Sequence, residues 1–175
     1  MTAPDASLHP SPRRVVAGRP GPGIGGVALM PAYSATSTQR LSTCHQDLQT
    51  LFGVVITERD CSILCGSRPE ADQEVAFKAG ASKLRWPNSN HNVDGKKRKT
   101  SWAVDVAPYP IDWKDASRFD HFAGLVLGIA SQLFAQGKMK HRVRWGGDWD
   151  KDGLTRDESF IDRPHFELVG VADGE

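Results

Sequence analysis

Phe160-Ile161-Asp162-Arg163-Pro164-His165-Phe166-Glu167-Leu168 is the run of residues from which the rest of this chain is best understood. It places a carboxylate three residues before an imidazole, with a proline between them and an apolar, strand-like tail after them. The tail fixes the backbone, so the turn before it can direct both side chains at one point. In a metal site, a neutral imidazole binds the ion and a nearby carboxylate handles the proton of the attacking water. A turn aspartate beside a buried histidine has the same spacing, so the metal interpretation requires further ligands.

Two more candidate ligands precede this run. His91 lies at the end of a Pro/Asn-rich turn, and Asp105 lies in the middle of a strand-like segment. A carboxylate between Val104 and Val106 is costly to bury unless it is paired or binds a metal, although Asp105 alone is equally consistent with a half-exposed strand. With His165, these residues make a set of two imidazoles and one carboxylate. Three protein ligands leave the fourth tetrahedral position for water, which is typical of catalytic rather than structural zinc sites.

Length and composition indicate one ordinary globular domain. The 175 residues are enough for a substantial core, and the 39% hydrophobic and 25% charged residues are average values. The formal net charge of +1 gives no electrostatic reason to expect binding to nucleic acid or to an anionic membrane. No apolar run approaches the ~20 residues that span a bilayer, so we expect no membrane insertion. We expect a monomer, made without a secretory signal peptide and kept in the cytoplasm until it is released.

Residues 1–33 differ from the rest of the chain. They are rich in Pro, Gly, Ala and Arg and show neither helical nor strand periodicity. Such a segment buries too little apolar surface to offset its ordering entropy, so we predict a disordered N-terminal extension at 1–33 and a folded catalytic domain at 34–172. Met30 stands just before the globular pattern begins, which leads to the hypothesis that residues 1–29 lie outside the functional domain.

The pattern of apolar residues predicts an α+β fold. Helical periodicity predicts a helix capped by Ser42 or Thr43 and a long helix over 117–137, and start and stop signals frame another helix over 67–80. Short apolar or alternating runs predict strands near 61–66, 102–107, 141–147 and 166–168. This order predicts a small, mostly antiparallel sheet with helices packed on one side.

Four motifs in order carry a family resemblance: SNHN at 89–92, WAVDVAP at 102–108, WGGDWD at 145–150 and DRPHFEL at 162–168. They resemble the zinc peptidase family that contains D-Ala-D-Ala carboxypeptidases and the phage endolysins that cut between L-Ala and D-Glu in peptidoglycan. The family pattern is Ser-x-His, then Ala-x-Asp, then Asp/Glu-x-x-His. Upstream motifs such as CGSRPEADQ and KAGASKLRWPNSNHN are similar to the phage branch. The resemblance covers Ser37 to Leu168 and implies a LAS-type (Hedgehog/D-Ala-D-Ala peptidase-like) zinc peptidase fold.

Carried over position by position, the resemblance implies three zinc ligands: His91, Asp105 and His165. It implies that Asp162 is the catalytic acid/base, and that Arg68 stabilises the oxyanion of the tetrahedral intermediate. A guanidinium suits that task because it stays cationic and offers a fork of donors. The alternative for Arg68 is a surface arginine at the start of a helix.

Two further positions match family residues placed near the substrate. Ser89 matches the family serine, which orients a ligand or the substrate, and Gln73 matches a glutamine that contacts the substrate. A simple turn serine and an exposed helix glutamine are the alternatives. Glu167 is assigned to the strand that follows the catalytic turn rather than to catalysis.

One departure from the family pattern is the separation of His91 and Asp105. Thirteen residues lie between them, which is more than the family usually has. The longer loop contains Asp94, another carboxylate, but the AVDVAP motif favours Asp105 as the ligand. The basic run Lys96–Lys99 is interpreted as solvated surface, with attraction of anionic cell-wall polymer as the alternative.

The acidic loop DWDKDG at 148–153 matches the first half of an EF-hand calcium loop. Its candidate ligands for Ca²⁺ are Asp148, Asp150 and Asp152. The match then fails, because Ser159 stands where the bidentate glutamate belongs, although Glu158 is adjacent. An acidic turn is the alternative to a calcium site.

Taken together, the residues and the resemblance predict a zinc-dependent peptidoglycan peptidase, a phage or prophage endolysin that cleaves the L-Ala–D-Glu bond of the stem peptide after release to the cell wall. One alternative is a D-Ala-D-Ala carboxypeptidase, which needs the same catalytic groups. Another is a catalytically inactive metal-binding domain that recognises the cell wall, although an acid/base at Asp162 favours an enzyme. A serine hydrolase is disfavoured because the chain has no Gly-x-Ser-x-Gly elbow.

Overall fold

Within residues 31–170, which the computed structural model describes, the chain forms four helices and four strands. In chain order they are α1 (Ala35–Ser42), α2 (Gln46–Glu58), β1 (Cys61–Cys65), α3 (Glu70–Lys78), β2 (Ala103–Pro108), α4 (Ala116–Ala135), β3 (Arg142–Trp145) and β4 (His165–Val169). The α+β class and the predicted order of elements are confirmed, with α1 as an addition. None of the described helices combines the length and the apolar content needed to cross a membrane. Most of the predicted disordered extension, residues 1–30, lies outside the described residues.

Two helices stand where the sequence predicted one. Ser34 caps α1 with its hydroxyl, and Thr43 ends that helix with helical backbone angles. The predicted cap at Ser42 or Thr43 is therefore wrong, because both residues still belong to the end of α1. His45 caps α2 instead, since its Nδ1 accepts a hydrogen bond from the backbone N–H of Asp47.

The sheet formed by the described residues is antiparallel throughout, in the order β1-β2-β4-β3. Its central pair, β2 and β4, sets Asp105 opposite His165. Because side chains alternate between the two faces of a strand, Val104 and Phe166 join the hydrophobic core, and Asp105 and His165 share the other face. β2 is largely covered on both faces, unlike the half-exposed strand that was the alternative for Asp105.

The core lies between the sheet and the helices α2 and α4. Phe166 of β4 meets Phe52 of α2 edge to face with a centroid separation of 5.7 Å, and Phe122 of α4 at 6.2 Å. Full burial of one such side chain stabilises the fold by about 1.5–3 kcal/mol. Tyr33 packs on this cluster and donates a hydrogen bond to the Phe52 carbonyl at 2.9 Å. The packed face gives the opposite face of the sheet a rigid support.

Candidate active site

Three of the predicted site residues meet on the face of the sheet turned away from the core. His91 comes from the loop before β2, Asp105 from β2, and His165 from the first residue of β4. His91 Nε2 lies 3.1 Å from Asp105 Oδ1 and 3.2 Å from His165 Nδ1, and the latter lies 3.2 Å from Asp105 Oδ1. A tetrahedral zinc ion with bonds of about 2.0–2.1 Å places its ligand atoms about 3.3 Å apart. The three atoms therefore have the spacing that a zinc ion requires.

Hydrogen bonds on the outer side of each ring fix the tautomers of both histidines. His91 Nδ1 donates to the carbonyl oxygen of Gly66 at 2.7 Å, and His165 Nε2 donates to the carboxylate of Glu167 at 3.1 Å. These partners only accept, so the neutral rings turn their lone pairs toward Asp105 Oδ1. With both rings neutral, three acceptors face one another, and such a set attracts a cation, either a proton or a metal ion; this donor set fits zinc.

Electrostatics in the cluster favour positive charge. Burial by itself disfavours the imidazolium form of His91, but the Asp105 carboxylate outweighs burial and raises the pKa of His91 to about 10. Burial would likewise raise the pKa of Asp105, yet His91 and His165 hold that pKa well below its ordinary range. The buried carboxylate is thus kept ionised, as a metal ligand must be.

Glu167 is hydrogen-bonded to the cluster, whereas the sequence interpretation assigned it only to the strand. It is buried, and besides the bond from His165 it accepts hydrogen bonds from Asn90 Nδ2 at 2.8 Å and from Arg144 Nε at 3.0 Å. Burial opposes ionisation, but the bonds from His165, Arg144 and Asn90 lower the pKa of Glu167 to about 2. The two-residue period of β4 puts residues 165 and 167 on one face, which is the signal that reveals this role.

Asp162 lies beside the three-atom set. Ligand atoms of Asp162, Asp105 and His165 fall within 4.8 Å of one another. Burial and the neighbouring charge of Asp105 raise the pKa of Asp162 above its ordinary value. A carboxyl group whose pKa is shifted toward neutrality is suited to accept and return a proton near a metal.

A glycine holds the turn that carries Asp162. The N–H of Gly146 donates to the His165 carbonyl at 2.8 Å, and the Gly146 carbonyl accepts from the N–H of Asp162 at 2.7 Å. A Cβ at Gly146 would lie 2.5 Å from the carbonyl oxygen of Asp162 and 3.0 Å from His165 Cβ. Only glycine allows this close approach, and the sequence interpretation did not single out Gly146.

Arg68 binds the side of Asp105 that faces away from the histidines. Its Nη2 donates to Asp105 Oδ2 at 3.0 Å, and the arginine lines the cavity next to the cluster. This position differs from the surface arginine that was the alternative. The guanidinium holds the aspartate so that its Oδ1 is directed at His91 and His165.

Gln73 neither lines the cavity, as a contact with substrate would require, nor lies exposed on its helix. Its side chain is completely buried, and it is absent from the residues that line the cavity. The amide nitrogen donates to Ser82 Oγ at 2.9 Å and to the Leu84 carbonyl at 2.6 Å, and the amide oxygen accepts from Arg68 Nη1 at 3.4 Å and from Asn92 at 3.2 Å. These bonds favour a positioning role over a contact with substrate.

A cavity of about 400 Å³ opens onto the cluster. Two chain segments, 81–84 and 88–91, supply much of its lining, together with Trp149, residues 158–160 and Asp162. Ser89 is one of the lining residues, and its Oγ accepts a hydrogen bond from the backbone N–H of His91 at 3.3 Å. Ser89 thereby steadies the loop that presents His91.

Asp94, the competing carboxylate, does not take part in the cluster. Its side chain accepts hydrogen bonds from the backbone N–H groups of Lys96, Lys97 and Arg98. The long loop therefore closes on itself at the surface, and Asp105 is the carboxylate that meets the histidines.

Asp148, Asp150 and Asp152 also lie together, with one ligand atom of each within 4.8 Å of the others. Their carboxylates accept hydrogen bonds from backbone N–H groups of the same loop, such as that of Gly153 to Asp148 at 3.1 Å. Glu158 turns back onto this loop and accepts from the N–H of Trp149. These bonds also suit an acidic turn, so calcium binding stays a prediction.

Comparisons with known proteins agree with this geometry. The model of the family described as phage L-alanyl-D-glutamate peptidase matches residues 30–169, which is most of the chain. No protein of curated function matches. Seven chains of solved structures do, and one of them is the Serratia marcescens L-Ala D-Glu endopeptidase ChiX, with a TM-score of 0.57 and 25% identity over 79% of this chain and 90% of that chain. The LAS-type fold is confirmed by this match, and the chain belongs to the phage L-alanyl-D-glutamate peptidase family.

Proposed function

We propose that this peptidoglycan peptidase is zinc-dependent and cleaves the L-Ala–D-Glu bond of the stem peptide. The observation that carries the proposal is the convergence of three lone-pair atoms, from His91, Asp105 and His165, at mutual distances of 3.1–3.2 Å. Both imidazole tautomers are fixed by outer hydrogen bonds, so the cluster is preorganised for a cation. We place the action of the enzyme at the cell wall, after release from the cell in which it is made.

The chemistry follows from the groups around this cluster. A zinc ion held by His91, Asp105 and His165 would supply a Lewis acid for activating water and polarising the scissile carbonyl. Asp162 accepts the proton of the attacking water and returns it to the amine of D-Glu as the C–N bond breaks. The same carboxyl group thus takes up and releases one proton in each reaction. The raised pKa of Asp162 suits both halves of this transfer.

Arg68 and Ser89 support the reaction from the cavity wall. Arg68 uses Nη2 for Asp105 and Nη1 for Gln73, and a guanidinium with five N–H groups keeps further donors for the oxyanion that forms at the scissile carbonyl. Ser89 Oγ holds the backbone N–H of His91, so it keeps that ligand in place. We assign Gln73 to positioning Arg68 and the adjoining loop.

Substitution of Asp162, the proposed acid/base, tests whether catalysis and zinc binding depend on different residues. Asp162→Ala should keep zinc bound, since Asp162 is outside the three-atom set, and should lower the rate of peptidoglycan cleavage by at least about 100-fold. Metal content and cleavage rate are measured on the same preparation. His91→Ala should lose both zinc and activity, and Asp72→Ala, an exposed acid on α3, should lose neither. Full activity of Asp162→Ala would contradict the assigned role.

The products of digestion identify the bond that the enzyme cleaves. Digested peptidoglycan should show new D-Glu amino termini and L-Ala carboxyl termini by mass spectrometry. Release of free D-Ala would instead identify a D-Ala-D-Ala carboxypeptidase. Zinc binding without any new termini would identify a cell-wall recognition domain.

A further inference from the structure

Lys83 is a cation of the active-site cavity that has no anionic partner among the described residues. The cavity is lined by Arg68, Lys83 and Arg144. Arg68 is paired with Asp105 and Arg144 with Glu167. No described carboxylate lies within 4.0 Å of the Lys83 ammonium. Glu158 and Asp162 also line the cavity, but neither forms an ion pair with Lys83, so the ammonium group is left to bind an anion that enters the cavity.

The ammonium group of Lys83 is directed toward the catalytic turn. Its Nζ lies 5.0 Å from the centroid of the Phe160 ring, and Phe160 also lines the cavity. Phe160 comes two residues before Asp162 in the chain. A cation over an aromatic face at an exposed site gains only a modest attraction, and its N–H donors stay available to an anion.

Both chain neighbours of Lys83 are hydrogen-bonded to one buried side chain. The amide nitrogen of Gln73 donates to Ser82 Oγ at 2.9 Å and to the Leu84 carbonyl at 2.6 Å. The amide oxygen of the same glutamine accepts from Arg68 at 3.4 Å. A single buried amide thus sets the backbone of Lys83 relative to the guanidinium next to the reacting groups, which is how a preorganised binding group is held.

The substrate of the proposed reaction carries a matching anion. The D-Glu residue on the amine side of the scissile bond has a carboxylate that is not consumed when the L-Ala–D-Glu bond breaks. We propose that Lys83 binds this free carboxylate and so selects stem peptides that carry an ionised D-Glu over those in which it is amidated. The inference rests on the proposed function, because it assigns the substrate contact of the same site.

A pair of synthetic peptides tests the assignment. Both contain the L-Ala–D-Glu bond, and in one of them the free carboxylate of D-Glu is converted to a carboxamide. Wild-type enzyme should cleave the carboxylate peptide with the higher kcat/KM. Lys83→Met should lower kcat/KM for that peptide by about tenfold or more, as expected for loss of a charge-assisted hydrogen bond, and should leave the carboxamide peptide unchanged.

Controls distinguish the charge from other effects. Lys83→Arg should restore most of the preference, and Lys138→Met, an exposed lysine that does not line the cavity, should retain all of it. Equal losses on both peptides would overturn the inference, because a lysine that only screened the acidic residues of the cavity would act on both. An unchanged preference in Lys83→Met would overturn it as well. If wild-type enzyme cleaves neither peptide but retains zinc, the proposed bond itself is wrong.

Discussion

At the scale of single residues, His165, the proposed zinc ligand, depends on a neighbour outside the three-atom set. Glu167 accepts the Nε2 proton of His165, and Arg144 and Asn90 hold the carboxylate of Glu167 in turn. This chain of bonds fixes the ring orientation and increases the basicity of the ligating nitrogen. We therefore expect the strand residue Glu167 to contribute to metal affinity through His165.

Glu167→Gln tests this contribution. The amide keeps the shape of the side chain but removes its charge, so zinc affinity should fall by roughly 10- to 100-fold. Competition with a chelator of known affinity measures the change. Glu74→Gln provides the matched control, because Glu74 pairs with Arg85 at the surface and lies outside the cluster. Equal zinc affinity in wild type and Glu167→Gln would contradict the role assigned to Glu167.

Some site residues can be predicted from the residues next to them in the sequence, and others cannot. His91, Asp105 and His165 were predicted because zinc accepts few ligand types and because each stands in a recognisable local motif. Gln73 could not be placed in the same way. Its partners Ser82, Leu84 and Asn92 are 9, 11 and 19 residues away, and only the folded chain brings them to one amide.

At the scale of elements, the connection between β3 and β4 positions the turn that carries Asp162. Gly146 bonds to Asp162 and His165 through its backbone, and the Trp145 indole N–H donates to the Arg163 carbonyl at 2.7 Å. The loop thus returns to its starting strand and is fixed at both ends. The sequence predicted both strands, but not that the glycine between them is needed for close approach.

Gly146→Ala should damage the site at this connection. The added methyl group would meet the Asp162 carbonyl oxygen, which is backbone and cannot rotate away, so both melting temperature and cleavage rate should fall. Gly128→Ala is the matched control, because a Cβ at Gly128 in α4 meets nothing within 4 Å. The control should be neutral or stabilising by about 0.5–1 kcal/mol. Thermal melts and peptidoglycan cleavage measure both variants, and equal behaviour of the two would rule out the close-approach explanation.

The helix α1 shows why one element escaped prediction. Its only buried residues are Ser37 and Leu41, so the segment lacks the repeated apolar positions by which helices are recognised in a sequence. Contacts distant in the chain maintain it instead. The Ser37 hydroxyl accepts the N–H of Ile63 at 3.1 Å, and Arg40 donates to the Ile63 carbonyl at 3.0 Å.

At the scale of the whole molecule, the described core and the site draw on a limited part of the chain. Within residues 31–170, the buried apolar residues run from Leu41 to Leu168, and Tyr33 is the first described residue that packs against them. The family match begins at residue 30. The start of the family match supports the hypothesis that residues 1–29 lie outside the functional domain.

A chain that starts at Met30 should therefore keep the melting temperature and the cleavage rate of the full chain. A chain that starts at Cys44 is the contrasting control. It lacks α1 and the hydrogen bonds from this helix to Ile63, so it should melt at a clearly lower temperature. Loss of activity in the chain that starts at Met30 would show that the N-terminal residues belong to the functional unit.

The pairing of β2 with β4 has a consequence for errors in folding. Asp105 and His165 are opposite each other, with Val104 and Phe166 on the reverse face. A slip of one residue in this pairing would exchange the faces, burying charged groups among aliphatic side chains and presenting hydrocarbon to the substrate. Misaligned molecules would thus lose stability and catalysis together. We therefore expect peptidase activity per molecule to follow the fraction of correctly aligned chains, and a partly active misfolded population is not expected.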